Sequence, residues 1–183
     1  MKSKFGYILE NFKKNQSTDY ISWLNDMSDV CKYDIDMIDI LETWRPKIGL
    51  YAGSFNPFHK GHLNIIMKAE EIFDKVIIAR GINPTKKNEI FELPESIKDR
   101  QIEYFDGLLT NFMDNLGYEV TLIRGLRNAT DLQYELTQFK FLQEMKPDIK
   151  IVNIFCDKDY EHISSSAIRG LLQFKTGEQY MVK

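Results

Sequence analysis

The chain has 183 residues, of which 43% are hydrophobic and 28% charged, with a formal net charge of −3. Such a length and composition belong to a soluble globular protein with one ordinary domain and an addition to it. The mildly acidic balance excludes a polybasic nucleic-acid surface, so any basic site must be local. No apolar run approaches the roughly 20 residues that a membrane span needs. Met1 to Glu10 lacks the apolar region of a signal peptide. Cys31 and Cys156 lie far apart without metal-ligand spacing and read as reduced thiols. The expectation is a cytoplasmic protein with no nucleic-acid or membrane partner.

Residues 1–45 read as a helical N-terminal extension and 46–183 as the main domain. Phe5, Ile8, Leu9 and Phe12 fall on one helical face, and Tyr20, Ile21, Trp23, Leu24 and Met27 begin a second amphipathic stretch. Gln16-Ser17-Thr18-Asp19 supplies the loop and N-cap residues between them. A third helix is predicted from about Asp34 to Trp44, burying either Ile35, Ile38 and Leu41 or Met37, Ile40, Leu41 and Trp44; Arg45-Pro46 ends it. So many large apolar side chains must dock, on the main domain or on another subunit.

The main domain is organised around residues 47–62. Ile48, Leu50 and Tyr51 form an apolar run that enters a turn at Gly53-Ser54 and Asn56-Pro57. His59-Lys60-Gly61-His62 then opens an amphipathic helix from Leu63 to Phe73. A strand-loop-helix junction aims the free amides of the helix's first turn, and its positive dipole end, into the loop, which suits a phosphate. The two imidazoles add donors. Lys75 to Ala79 reads as a buried parallel strand completing a βαβ unit, with its ligand crevice at the strands' carboxyl ends. Lys86 and Lys87, in the loop Gly81 to Asn88, would then reach phosphates in that crevice.

Beyond this unit the pattern weakens, with a helix predicted near 107–116. Glu119 to Ile123 is a strand running into Arg124-Gly125-Leu126-Arg127, where two guanidiniums can grip phosphate oxygens bidentately and the glycine lets the backbone approach. A helix from Asp131 to Met145 stops before Pro147. Ile149 to Phe155 is a fourth strand, and Ile163-Ser164-Ser165-Ser166 leads into a last helix, Ala167 to Leu172. The fold class is therefore α/β, a doubly wound, mostly parallel, Rossmann-like sheet with a helical N-terminal extension.

Gly-Ser-Phe-Asn-Pro-x-His-x-Gly-His at residues 53–62 resembles the signature of the HxGH nucleotidylyltransferases. Asn83-Pro84-Thr85-Lys86-Lys87, Leu122 to Arg127, Asp131 with Tyr134-Glu135, and Ile163 to Ser166 follow in order, and together they resemble the phosphopantetheine adenylyltransferase family. The resemblance implies adenylyl transfer from MgATP to 4′-phosphopantetheine, giving dephospho-coenzyme A and pyrophosphate. It implies catalytic roles for His62, Lys86 and Arg124, with Ser54, Lys86, Leu109 and Arg124 contacting the acceptor. It places Ser54, Phe55, His59, His62, Gly125, Leu126, Arg127, Glu135, Tyr160, Glu161, His162, Ile163, Ser164, Ser165 and Ser166 against ATP. A homo-oligomer is expected, with no metal ligated by the protein and Mg²⁺ riding mainly on the substrate phosphates.

Within that pattern, His59 stands where the family often has Thr, and Tyr160 and His162 replace a typical Trp and Phe. The stretch from Phe91 to Phe105 is shorter by most of a helix, and the chain ends soon after Leu172. The N-terminal segment is expected to cover the surface these differences leave bare. An adenylyltransferase for another phosphate monoester, such as nicotinamide mononucleotide, and a non-catalytic nucleotide-binding regulator are the alternatives.

Overall fold

The computed structural model of the chain describes residues 3–16, 20–82 and 90–183. Three helices come first, α1 (Lys4–Lys14), α2 (Tyr20–Cys31) and α3 (Ile35–Thr43). The strands are β1 (Ile48–Gly53), β2 (Lys75–Ile82), β3 (Gln101–Asp106), β4 (Thr121–Leu126) and β5 (Lys150–Phe155). They form one parallel five-stranded sheet in the order β3-β2-β1-β4-β5. Helix α4 (Lys60–Glu70) joins β1 to β2, α5 (Leu109–Asn115) joins β3 to β4, α6 (Ala129–Met145) joins β4 to β5, and α7 (Ser165–Leu172) follows β5. The strand order reverses between β1 and β4, and in open α/β sheets ligands bind outside the carboxyl ends at such a switch point.

Side chains alternate across the strands with a period of two. Ile48, Leu50, Ala52, Ile77, Ala79 and Leu122 face one buried cluster, while Tyr51, Val76, Ile78 and Ile123 face the other. The first cluster is completed by Ile8, Phe12, Trp23, Met27, Cys31 and Leu41 of the N-terminal helices. That segment docks on the sheet of its own chain. Ile8 and Phe12, four residues apart on α1, are both buried, and Phe12 meets the Trp23 and Trp44 rings at 4.8 and 5.4 Å. Of the two faces open for α3, Met37, Ile40, Leu41 and Trp44 pack inward, whereas Ile35 is exposed. The predicted cap residues Ser17, Thr18 and Asp19 lie outside the described residues, as do Asn83 to Lys87.

The docking face differs from the expected one. Leu93 and Ile97, in the β2–β3 connection, pack with α4 in the second cluster, on the opposite side of the sheet from α1–α3. A bond from Gln16 Nε2 to the Lys98 carbonyl, 3.3 Å, ties the extension to that connection. Strand β3 escapes the sequence pattern because it is an edge strand carrying Gln101, Glu103 and Asp106, with Tyr104 largely exposed. Parallel pairing of Ile77 to Ile82 with Gln101 to Asp106 is what defines it. Strand β4 also runs past its predicted end to Leu126, so Arg124 and Gly125 are strand residues paired with Asn153 and Ile154.

Lys75 opens β2 on the face that receives α1. It is buried, its Nζ donates to the Asn15 carbonyl at the end of α1, and it lies 5.0 Å from the centre of the Phe12 ring. Burial pushes its pKa down to about 8, against a weaker opposing pull from Glu103. An unfolded lysine titrates near 10.4, so between about pH 8 and 10.4 the unfolded chain holds the extra proton and stability rises with pH. The unfolding free energy of the wild type should therefore gain about 3 kcal/mol relative to Lys75→Met across that window. Urea unfolding of both proteins at pH 7.5 and 10.5 measures the difference; a constant difference would show that Lys75 is not desolvated.

Candidate active site

The β1–α4 junction begins at Gly53 and turns through Phe55, whose φ of 47° lies in the left-handed region, unusual for a bulky side chain. Its buried ring lies under His62, edge to face at 5.0 Å, and beside Tyr51 and Phe58 at 5.1 and 5.7 Å. The Phe55 ring is thus a support for the histidine, and the loop offers a ligand its backbone and the exposed Ser54.

His59 is the N-cap of α4. Its Nδ1 accepts the His62 N–H at 3.4 Å, and the His62 Nδ1 accepts the His59 N–H at 3.3 Å, a reciprocal capping box made by two imidazoles. The rings stack with centroids 3.5 Å apart. Gly61 leaves the His59 ring its place, because a Cβ there would meet the ring atoms at 3.2 Å and push them by a few tenths of an ångström. Burial pushes the pKa of His59 down to about 4, with a smaller push from Arg127, and that of His62 falls well below its ordinary value through burial, then His59 and Arg127. Both rings are neutral at pH 7. With each Nδ1 accepting a backbone N–H, each proton sits on Nε2, which has no partner among the described residues and serves as a donor.

Facing the histidines is a cavity of about 250 Å³ whose walls include Tyr51, Ile65, Gly125, Leu126, Arg127, Asp131, Cys156, Tyr160, Ile163, Ser164 and Ser165. One wall is set by α4 gripping the end of β5. Asn64 and Asp157 exchange hydrogen bonds of 2.7 and 3.0 Å, and Lys68 donates to the Phe155 carbonyl at 2.8 Å. The other wall comes from α7, where the Ser164 Oγ caps the helix by accepting the Ala167 N–H at 3.1 Å and the Ser165 Oγ donates to the Pro57 carbonyl at 2.9 Å. Ser166 accepts from Arg169 at 3.1 Å, and Arg169 also bonds the Asn56 carbonyl.

Both predicted arginines are held by carboxylates of α6. Arg124 Nε and Nη2 meet the two oxygens of Glu135 at 2.7 and 2.6 Å. Arg127 Nε and Nη2 meet Asp131 at 2.8 Å each, and Asp131 also accepts the Arg127 backbone N–H at 2.9 Å. Each of these two partners shifts the other: Asp131 raises the Arg127 pKa, and Arg127 lowers that of Asp131. Forks of this kind fix the guanidinium plane while leaving other N–H groups for a ligand.

The structure brings His59, His62, Gly125, Leu126, Arg127, Tyr160, Ile163, Ser164 and Ser165 around one cavity. Other predicted residues stand outside that wall. Glu135 serves Arg124, Glu161 is exposed, His162 is exposed with its ring 5.4 Å from Tyr180, and Leu109 is half-buried in the cluster shared with the N-terminal helices. Lys86 lies outside the described residues. Asp131, which holds Arg127 at the cavity wall, is the residue whose part the sequence reading left unstated; its spacing of four from Arg127 on a helix start was the available signal.

The cytidylyltransferase-like family matches residues 50–171. The chain is 33% identical over 139 residues to phosphopantetheine adenylyltransferase of Alkaliphilus metalliredigens, covering 70% of this chain and 87% of that protein. To phosphopantetheine adenylyltransferase of Streptococcus pneumoniae it is 36% identical over 138 residues, covering 70% of this chain and 85% of that one. A solved structure, a bifunctional NMN adenylyltransferase/ADP ribose pyrophosphatase from Francisella tularensis, superposes with a TM-score of 0.54 at 18% identity, over 75% of this chain and 45% of that one, and shows the shared fold. Taken with the histidine pair and the two arginine forks, these likenesses place this chain in the phosphopantetheine adenylyltransferase family.

Proposed function

We propose that this chain transfers the adenylyl group of ATP to 4′-phosphopantetheine, forming dephospho-coenzyme A and pyrophosphate. The observation that carries the reading is the locked pair of neutral imidazoles at the start of α4, on the same cavity that Gly125 and Leu126 of β4 and the following Arg127 line. A phosphate monoester with a second pKa of about 6 is largely a dianion at neutral pH. Its oxygen attacks the α-phosphorus in line while the bond to pyrophosphate breaks, so no general base is needed. His62 donates from Nε2 to an α-phosphoryl oxygen, Arg124 orients the acceptor phosphate, and Lys86 is assigned to it by the family resemblance. Arg127 and the amides at the starts of α4 and α7 hold the nucleotide phosphates.

Among the described residues no group of three or more His, Cys, Asp or Glu side chains is arranged to hold a metal ion. The carboxylate at the cavity, Asp131, is committed to Arg127. That donor set fits a Mg²⁺ carried in by the phosphates of ATP, where it would neutralise charge on the triphosphate. The protein's own part is to orient the two phosphates.

Incubating the purified protein with MgATP and either 4′-phosphopantetheine or nicotinamide mononucleotide, and measuring pyrophosphate, tests the proposal. Release with 4′-phosphopantetheine supports it; release only with the mononucleotide, or tight ATP binding without turnover on either, overturns it. No helix among the described residues is long and apolar enough to cross a membrane. Assembly with copies of itself is supported by α6, a 17-residue helix with no buried residue and with Tyr134, Phe141 and Met145 exposed. Light scattering is expected to give a mass above that of the monomer, and a monomeric mass would exclude it.

A further inference from the structure

Tyr51 has a part in this cavity that neither the family resemblance nor the capping chemistry assigns. It lies on β1, the residue only 6% exposed, and it lines the cavity. Its ring is wedged by Phe55 at 5.1 Å and faces His62 at 6.4 Å. The hydroxyl lies against Gly125, so close that a Cβ on that glycine would stand 3.1 Å from the oxygen and 2.9 Å from Ile65. Gly125 is therefore kept small by these two side chains as much as by any ligand. Among the described residues the hydroxyl has no hydrogen-bond partner, yet no fully enclosed side-chain polar atom is left unsatisfied there. It follows that the oxygen is open to the cavity.

A phenol oxygen open to a cavity can be satisfied by water as long as no ligand fills the space. Once the ligand displaces that water, an unpaired hydroxyl would carry its full desolvation cost, so a ligand that fits must supply a partner. The surroundings say which part of the ligand that is. The cavity that Tyr51 lines holds the donor ring of His62 and also Gly125, Ile65, Cys156 and Ile163, an apolar part of its wall suited to a nucleoside. We propose, building on the nucleotide reading above, that the Tyr51 hydroxyl is a hydrogen-bonding contact to the AMP half of ATP and a determinant of nucleotide affinity. Burial raises the phenol's pKa, with Arg124 opposing and Glu135 adding to the rise, so it is the neutral hydroxyl that meets the ligand.

Tyr51→Phe keeps the ring and removes the oxygen. Calorimetric titration should give dissociation constants for AMP and for ATP each about tenfold weaker than in the wild type, the scale of one net hydrogen bond. Pyrophosphate, which lacks the nucleoside, should bind both proteins equally, and the melting temperatures should agree. A merely structural tyrosine would not separate AMP from pyrophosphate in this way. AMP affinities within about twofold of each other, or a loss confined to pyrophosphate, would overturn the assignment. A wild type that binds neither AMP nor ATP would defeat the nucleotide reading and Tyr51's part with it; a wild type that binds them no better than Tyr51→Phe would defeat only the latter. Should the variant not fold, wild-type protein labelled at the tyrosine ζ-carbon serves instead. The Tyr51 resonance, assigned through its contacts with Phe55 and Gly125, should move on saturation with AMP and stay fixed with pyrophosphate, and an unmoved signal with AMP counts against the proposal.

Discussion

Replacing His62 by alanine is expected to lower kcat for adenylyl transfer by about 10²-fold or more while changing ATP affinity little, the scale of losing one preorganised donor to a developing charge. The neutral ring already has its proton on Nε2, because its Nδ1 is occupied by the His59 N–H. No reorganisation is needed at the moment of reaction. The fold should tolerate the change, since the alanine N–H at position 62 can still be accepted by His59, which keeps half of the cap. Steady-state rates beside melting curves separate the two effects, and near-wild-type turnover would remove His62 from the mechanism. His59→Ala should be milder on rate, because the backbone N–H of residue 59 still occupies the His62 Nδ1 and keeps the proton on Nε2, although the helix loses its N-cap.

The same two rings set an acid limit on stability. Unfolded histidines titrate near 6.5, whereas burial keeps His59 neutral down to about 4 and His62 neutral well below its ordinary range. As pH falls from 6.5 towards 4 the unfolded chain takes up protons that the folded one refuses. The contribution of the two histidines to stability therefore declines over that window and is fully present above it.

Deleting residues 1–44 is expected to give an aggregated or unfolded protein. Leu50, Ile77 and Leu122 are at most 1% exposed, and the helices that cover their face contribute Ile8, Phe12, Trp23, Met27, Cys31 and Leu41 to the same cluster. Burying one large apolar side chain is worth roughly 1.5 to 3 kcal/mol, against a total stability of about 5 to 15 kcal/mol for a domain. Losing the whole layer removes burial comparable with the entire stability of the domain and leaves the apolar face of the sheet open to solvent. Light scattering and thermal melting of the truncated chain check this. A soluble product with the mass per assembly, melting temperature and turnover of the full chain would show the extension to be dispensable.

Much of the site was legible because its parts are local. The run from Gly53 to His62 carries its own turn residues, cap and helix start, so adjacent positions dictate a strand-loop-helix junction, and Ser164 caps α7 for the same reason. The two apolar faces of β1 and β2 were equally readable, since buried parallel strands are continuous apolar runs. Strand β3 was not, because an edge strand with Gln101, Glu103 and Asp106 has no local signature and exists through its pairing with β2. Only the tertiary structure could seat α1–α3 on one face of the sheet rather than the other, because amphipathic helices specify that they must be covered and not by what. It also decided that Glu135 belongs to Arg124: eleven residues separate them, and a strand and a helix must fold back on each other before carboxylate and guanidinium come within 2.6 Å. Tyr51 reads in the sequence as one more apolar strand residue. Its hydroxyl becomes a site feature through Gly125, on a neighbouring strand far along the chain, whose missing Cβ leaves the oxygen room to reach the cavity.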